Sequence, residues 1–197
     1  MPDDFLRLSQ ATRDGPRGLL VSETELSLLN FYRASELHGG LILGQTARRT
    51  DDADLIAKLT RHSAEGMMHA LWWTETIARL GGRTISVADT YQNRSVAKAG
   101  TPISFFEVMA MTAAFEHRVY RSFTLHLRQA SVHPVVAGTL RRMLVDERWH
   151  LAWIREWLRD QTMSDAGKVS AALSRYSNAD QLICEELSIA YGFRKAA

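Results

Sequence analysis

LRRMLVDERWHLAWIREWL, residues 140–158, decides the fold. Counting back to Val136, apolar or inward positions fall at Val136, Leu140, Met143, Glu147, His150, Ile154 and Leu158. These steps of three and four mark one face of an α-helix. Glu147 and His150 therefore share the face that should enter the core, because residues three apart on a helix point the same way. A buried carboxylate costs several kcal/mol unless something positive meets it. A metal ion is one such partner; a satisfied structural Glu–His pair is the plainer one.

Working outward, other helices repeat the pattern. Ser22-Glu-Thr-Glu25 is a capping box opening a helix to about residue 46, with a stripe of Leu29, Tyr32, Glu36, Gly39/Gly40, Leu43 and Ala47. Gly39-Gly40 suggests close helix approach, room for a ligand, or a kink. Thr50-Asp51-Asp52 caps a second helix ending at Leu80-Gly81-Gly82, with a stripe of Leu55, Leu59, His62, Gly66, His69, Trp73, Ile77 and Leu80. Residues 83–101 are too long for a tight turn and suit a crossover, with space for a short helix in 85–98. Thr101-Pro102, with Ser104-Phe-Phe-Glu107 as a second capping box, begins a third helix. Its stripe is Phe105, Met109, Thr112, Glu116, Tyr120, Phe123 and Leu127. His133-Pro134 begins the fourth, the stretch quoted above, expected to stop near Asp160. Residues 165–191 read as one or two further helices packing through Leu173, Tyr176, Leu182, Ile183, Leu187 and Ile189. No strand signal stands out.

The helices also repeat one another. At an offset of 81, Leu59, Arg61, His69, Trp72 and Glu75 fall on Leu140, Arg142, His150, Trp153 and Glu156. At an offset of 80, Ala34 and Glu36 fall on Ala114 and Glu116. Glu36 precedes His69 by 33 residues and Glu116 precedes His150 by 34. The chain thus reads as two copies of a helical hairpin, each bringing an acid and an imidazole inward.

These residues resemble the ferritin-like (rubrerythrin-like) di-iron carboxylate family. That family takes one Glu from each of two helices and a Glu-x-x-His from each of the other two. The likeness runs from about residue 22 to 160 and rests on Glu36, His69, Glu116, Glu147 and His150. It implies an all-α, ferritin-like four-helix bundle at 22–160 with a long crossover between helices 2 and 3. A flexible leader at 1–21 and a helical extension at 161–197, packed on the bundle, complete the expected domains. It further implies Glu36 and Glu116 as terminal carboxylates, Glu147 as a bridging one, and His69 and His150 as nitrogen ligands. Two iron ions are the expected cofactor, with manganese or zinc as alternatives.

One position departs from the family: Gly66 stands where a Glu three residues before His69 is expected. Glu65 lies about 100° round the helix and falls opposite Asp146 in the repeat. Three readings stay open. Glu65 swings in through a local widening such as a π-bulge. His62 replaces the missing carboxylate. Otherwise the second metal position is weak or absent. Asp146 is read as an outer partner of His69 or His150, or else as a surface acid.

The resemblance implies an O2- or peroxide-using oxidoreductase, a hydroxylase or oxidase, acting on a small-molecule substrate with an external electron donor. Tyr32 and Tyr120, each one turn from a ligand Glu, are the candidate catalytic residues; core tyrosines are the alternative. The competing class is a non-catalytic iron-binding or storage-type protein, or a metal-free scaffold. The totals narrow the rest. Twenty-four Lys and Arg against 22 Asp and Glu give a net +2, with no basic run of the nucleic-acid-binding kind. The single Cys184 excludes an intrachain disulfide and fits a reducing cytoplasm, the expected location. No stretch has the length and apolarity of a membrane span or secretion signal. A homodimer is compatible with all of this.

Overall fold

The computed structural model describes residues 21–191. They form five α-helices: α1 (Glu23–Ala47), α2 (Ala53–Arg79), α3 (Tyr91–Ala99), α4 (Phe105–Leu127) and α5 (Pro134–Tyr191). No strand occurs among the described residues. The expected leader falls almost wholly outside them, as do residues 192–197.

The helix ends follow local chemistry. Ser22 Oγ accepts the backbone N–H of Glu25 at 3.1 Å, and Asp52 accepts those of Asp54 and Leu55. Ser104 accepts the N–H of Glu107, whose carboxylate takes the N–H of Ile103 in return, closing the second capping box. At the end of α2, Gly81 adopts φ 75° and the N–H of Gly82 reaches back to the Ile77 carbonyl. The crossover contains α3, capped by Thr90, whose hydroxyl accepts the N–H of Asn93.

α5 departs from expectation. Helix does not stop near Asp160; the polar run after it stays helical as an exposed face. The break comes at Asp165, with φ −150° and ψ 58°. Its carboxylate accepts the backbone N–H of Lys168 and so caps the segment that follows. The phase of that segment also differs from the reading. Tyr176, Ile183 and Leu187 are buried, whereas Leu173, Leu182 and Ile189 are exposed. The buried stripe runs Val169, Ala172, Tyr176, Asp180, Ile183 and Leu187. Its Asp180 is satisfied by both ends of the Arg118 guanidinium (2.9 and 2.6 Å) and by the Tyr91 hydroxyl (2.8 Å). A hydropathy pattern cannot mark such a stripe.

α1 packs chiefly on α2, and α4 on α5. α2 and α5 meet across the two pairs. The guanidiniums of Arg61 and Arg142 lie on the rings of Trp149 and Trp72, at 3.8 and 3.5 Å, and help join them. One apolar core holds Leu29, Trp73, Phe123, Leu140 and Met143. A second holds Leu43, Leu59, Met109, Trp153 and Ile154. On every one of the four long helices the inward acids and histidines fall between residues of these two cores. The polar groups form one layer, closed above and below by hydrocarbon.

Gly66 lies where α1 and α2 approach closely, opposite Gly40. A β-carbon there would sit 3.4 Å from the Glu36 carbonyl oxygen and from the Gly40 α-carbon. At Gly40 it would come within 2.9 Å of the Ser63 carbonyl, too near for any side chain. The Ser63 hydroxyl bonds the Gly40 carbonyl at 2.7 Å, sealing the contact. Of the readings left open for Gly39-Gly40, close approach holds at Gly40.

Candidate metal centre

Glu36, His69, Glu116, Glu147 and His150 are each 0–4% exposed, and all turn into the polar layer. His69 Nδ1 lies 3.2 Å from Glu147 Oε1 and 3.4 Å from Glu36 Oε2. His150 Nδ1 lies 3.2 Å from Glu147 Oε2 and 3.4 Å from Glu116 Oε2. Glu147 thus offers one oxygen to each histidine, the arrangement of a bridging carboxylate. Two trios have ligand atoms within 4.8 Å of one another: Glu36, His69 and Glu147, and His62, Glu116 and His150.

The outer nitrogens settle which way each ring is used. His69 Nε2 is 3.1 Å from Asp146 Oδ2, and His150 Nε2 is 2.9 Å from Glu65 Oε2. An ionised carboxylate only accepts, so each Nε2 carries a proton and each Nδ1 is the nitrogen turned inward. This is the orientation in which an outer carboxylate prepares a histidine for a metal. The partners are exchanged: Asp146 on α5 holds the histidine of α2, and Glu65 on α2 holds that of α5. Glu65 therefore does not swing into the layer, and α2 stays α-helical throughout, without a π-bulge. Its expected place among the inward ligands is corrected to an outer one. Glu65 is partly exposed and bonded by Arg61 as well, and His150 and Arg61 hold its carboxyl down at about 2 against the effect of burial.

His62 does reach the layer, 3% exposed and stacked on the His150 ring at 3.6 Å. Its chemistry is that of a donor. The indole N–H of Trp153 donates to His62 Nδ1 at 3.2 Å. An indole nitrogen cannot accept, so the ring proton sits on Nε2, 3.0 Å from Glu116 Oε1. Burial keeps this ring below the usual histidine range. His62 thus bonds a carboxylate rather than presenting a lone pair. Nothing in a hydropathy pattern pointed to Trp153 in this role, whereas Glu65 could have been found by extending the role of Asp146 through the repeat.

The electrostatics show how much positive charge the layer asks for. Burial, then the Glu147 carboxylate, push Glu36 up to about 7 against the pull of His69. Burial alone would lower His69, yet Glu147 and Glu36 outweigh it and raise the ring to about 11. His150 is raised in the same way by Glu147, Glu116 and Glu65 against its burial. Without a metal, protons on the rings supply the cations. They are poorly placed to do so. His69 Nδ1, Glu147 Oε1 and Glu116 Oε2 are buried with no hydrogen bond, although ion-pair distances surround them. Buried atoms of this kind are rare and ask for an explanation. These two oxygens and one nitrogen, beside the inward Nδ1 of His150 and the Glu36 carboxylate, fit one or two cations.

The tyrosines stand apart. Tyr32 is buried against Trp73, Phe123 and His126, and its hydroxyl has no hydrogen-bond partner among the described residues. Burial pushes its pKa up. Tyr120 is half-buried and makes no ion pair or ring contact with the layer. Comparison with family models, curated proteins and solved structures gives no match for this chain.

Proposed function

We propose that this chain is a ferritin-like four-helix-bundle protein holding a dinuclear metal centre, most simply di-iron, and working as an O2- or peroxide-using oxidoreductase of the hydroxylase or oxidase type. The observation that carries the reading is the reciprocal pairing of His69 with Asp146 and of His150 with Glu65. It leaves both Nδ1 atoms facing Glu147. Hydrophobic packing alone would not set two such histidines the same way.

In this reading Glu36, His69, Glu116 and His150 would hold the metal together with Glu147, which faces both histidines. A set of carboxylates and imidazoles suits iron, manganese or zinc. Bound iron would supply the redox chemistry for reducing dioxygen or peroxide. The chain's own contribution is local. The two apolar cores keep water from the layer. Asp146 and Glu65 fix the ring orientations. His62 steadies Glu116 through its Nε2–H. The absence of a side chain at Gly66 leaves the centre one carboxylate short of the family pattern.

The test is metal per chain after growth with ample iron, joined to oxygen uptake in the presence of a chemical reductant. The expected result is about two ions per chain and metal-dependent uptake. About two ions without uptake would favour the iron-binding, non-catalytic class. A chain that loads no metal would end the reading.

A further inference from the structure

A cavity of about 360 Å³ lies between α1, α4 and the segment of α5 beyond Asp165. Its inner end includes the buried Glu36, a member of the metal layer. Its outer edge includes the exposed Arg121 and Gln181. Between them the wall is mainly hydrocarbon and aromatic, from Phe31, Phe115, Val119 and Leu187. The size is that of a small-molecule site, and the mix of apolar wall with a few polar groups is typical of one.

The charges are distributed unevenly along it. Glu36 closes the floor, with Glu116 and Glu147 near it in the same buried layer. At the rim stand two guanidiniums, Arg118 and Arg121, three residues apart on α4, and one exposed acid, Glu185 on α5. Arg118 is occupied by Asp180, whereas Arg121 has no ion pair among the described residues. In the metal-free chain, an anionic head group entering inward would approach Glu36 in a largely apolar wall. The same head group left at the rim would meet Arg121.

We propose that this cavity is the substrate pocket of the metal centre, and that it takes a small aryl or alkyl carboxylate, apolar end inward and carboxylate at Arg121. The inference rests on the metal-centre reading for its claim that the inner end is where reaction occurs. Occupancy of the cavity does not depend on a metal.

Phenylbutyrate and its uncharged counterpart phenylbutanol separate these points. Binding is measured by calorimetry and ligand-observed NMR on the full chain, first stripped of metal with a chelator. Saturable binding of phenylbutyrate is expected, weakened at least tenfold by Ser122→Phe, which fills the half-buried rim. Arg121→Gln should weaken phenylbutyrate about threefold to fivefold, as for an exposed charge pair, and leave phenylbutanol unchanged. Both variants are checked by circular dichroism; the milder Ser122→Leu replaces Ser122→Phe if the latter does not fold. In the manganese-loaded chain, the phenyl protons should broaden more than the methylene next to the carboxylate. No saturable binding, equal binding by the rim-filled variant, or an Arg121→Gln loss shared by phenylbutanol would overturn the proposal. So would stronger broadening at the carboxylate end. A chain that binds phenylbutyrate in this way but holds no metal would keep the pocket and remove the centre. A loaded chain that binds neither probe would do the reverse.

Discussion

The α1–α2 pair and the α4–α5 pair are built on one plan and finished differently. Both bring a mid-helix Glu and an inward His to the same layer, and both place an acid four residues before that His to hold the ring of the other pair. Position 66 is Gly in the first pair, and its counterpart in the second is Glu147. Position 62 is His, and its counterpart is Met143. Position 40 is Gly, and its counterpart is Tyr120. The first pair brings its helices together at Gly40 and Gly66, where the second has Tyr120 and Glu147. In place of that acid it supplies a hydrogen-bond donor, His62. The lesson is that position 66 sits beside a close helix approach with little free volume, so a long side chain there would have to displace its neighbours.

The strongest way to break this comparison is to remove the acid the second pair retains. Glu147→Ala should abolish loading of both ions, read by elemental analysis, whereas His62→Met, which copies the second pair, should leave the metal count within error. Equal losses in both would make His62 a ligand and the two pairs more alike than stated. Next come the exchanged outer acids. Asp146→Asn and Glu65→Gln should each weaken metal binding by about ten- to a hundredfold in chelator competition. A large effect from one and none from the other would break the reciprocity.

Proton competition gives a third test. His69, raised to about 11, and His150 hold protons in the metal-free chain, and a metal must displace them. Raised histidines stay protonated until pH climbs through their folded values, so metal affinity should fall as pH falls, by about tenfold per pH unit for each proton displaced. Isothermal titration in buffers of different ionisation enthalpy measures that proton release. Affinity flat with pH would mean the rings are already bare. The smallest effect sharpens the account of Gly66. Gly66→Glu should not add a ligand. The space beside it, between Glu36, His62 and Glu116, holds only about 10 Å³. The expected cost is about 1–3 kcal/mol in urea unfolding, as for other overpacked sites. Gly66→Ala, whose β-carbon meets ordinary contacts at 3.4 Å, should be neutral or stabilising by up to about 1 kcal/mol. Higher metal occupancy in Gly66→Glu would show that the missing acid alone limits the site.

Much of this was legible in the sequence because burial leaves a periodic trace. All seven inward positions read from 136 to 158 are buried, and the helix starts at Ser22, Asp52 and Ser104 follow from their capping side chains. What escaped was set by pairing between side chains distant in the chain. Hydropathy could not show that Trp153 would fix the His62 proton, since an indole on an apolar face reads as packing. The run 160–164 reads as a turn from its polarity, but an exposed helical face is equally polar. Beyond it, Asp180 lies on the buried stripe because Arg118 and Tyr91 reach it from other helices, so the apolar period was displaced onto Leu173, Leu182 and Ile189.

The bend at Asp165 divides labour within a single helix. Before it, α5 provides Glu147 and His150; after it, α5 provides Gln181, Cys184 and Ser188 to the wall of the cavity and nothing to the centre. The α5 residues of the polar layer and those of the cavity wall thus lie on opposite sides of one bend. If the layer and the cavity work as proposed, substitutions confined to the distal arm would reshape the cavity wall and leave Glu147 and His150 in place.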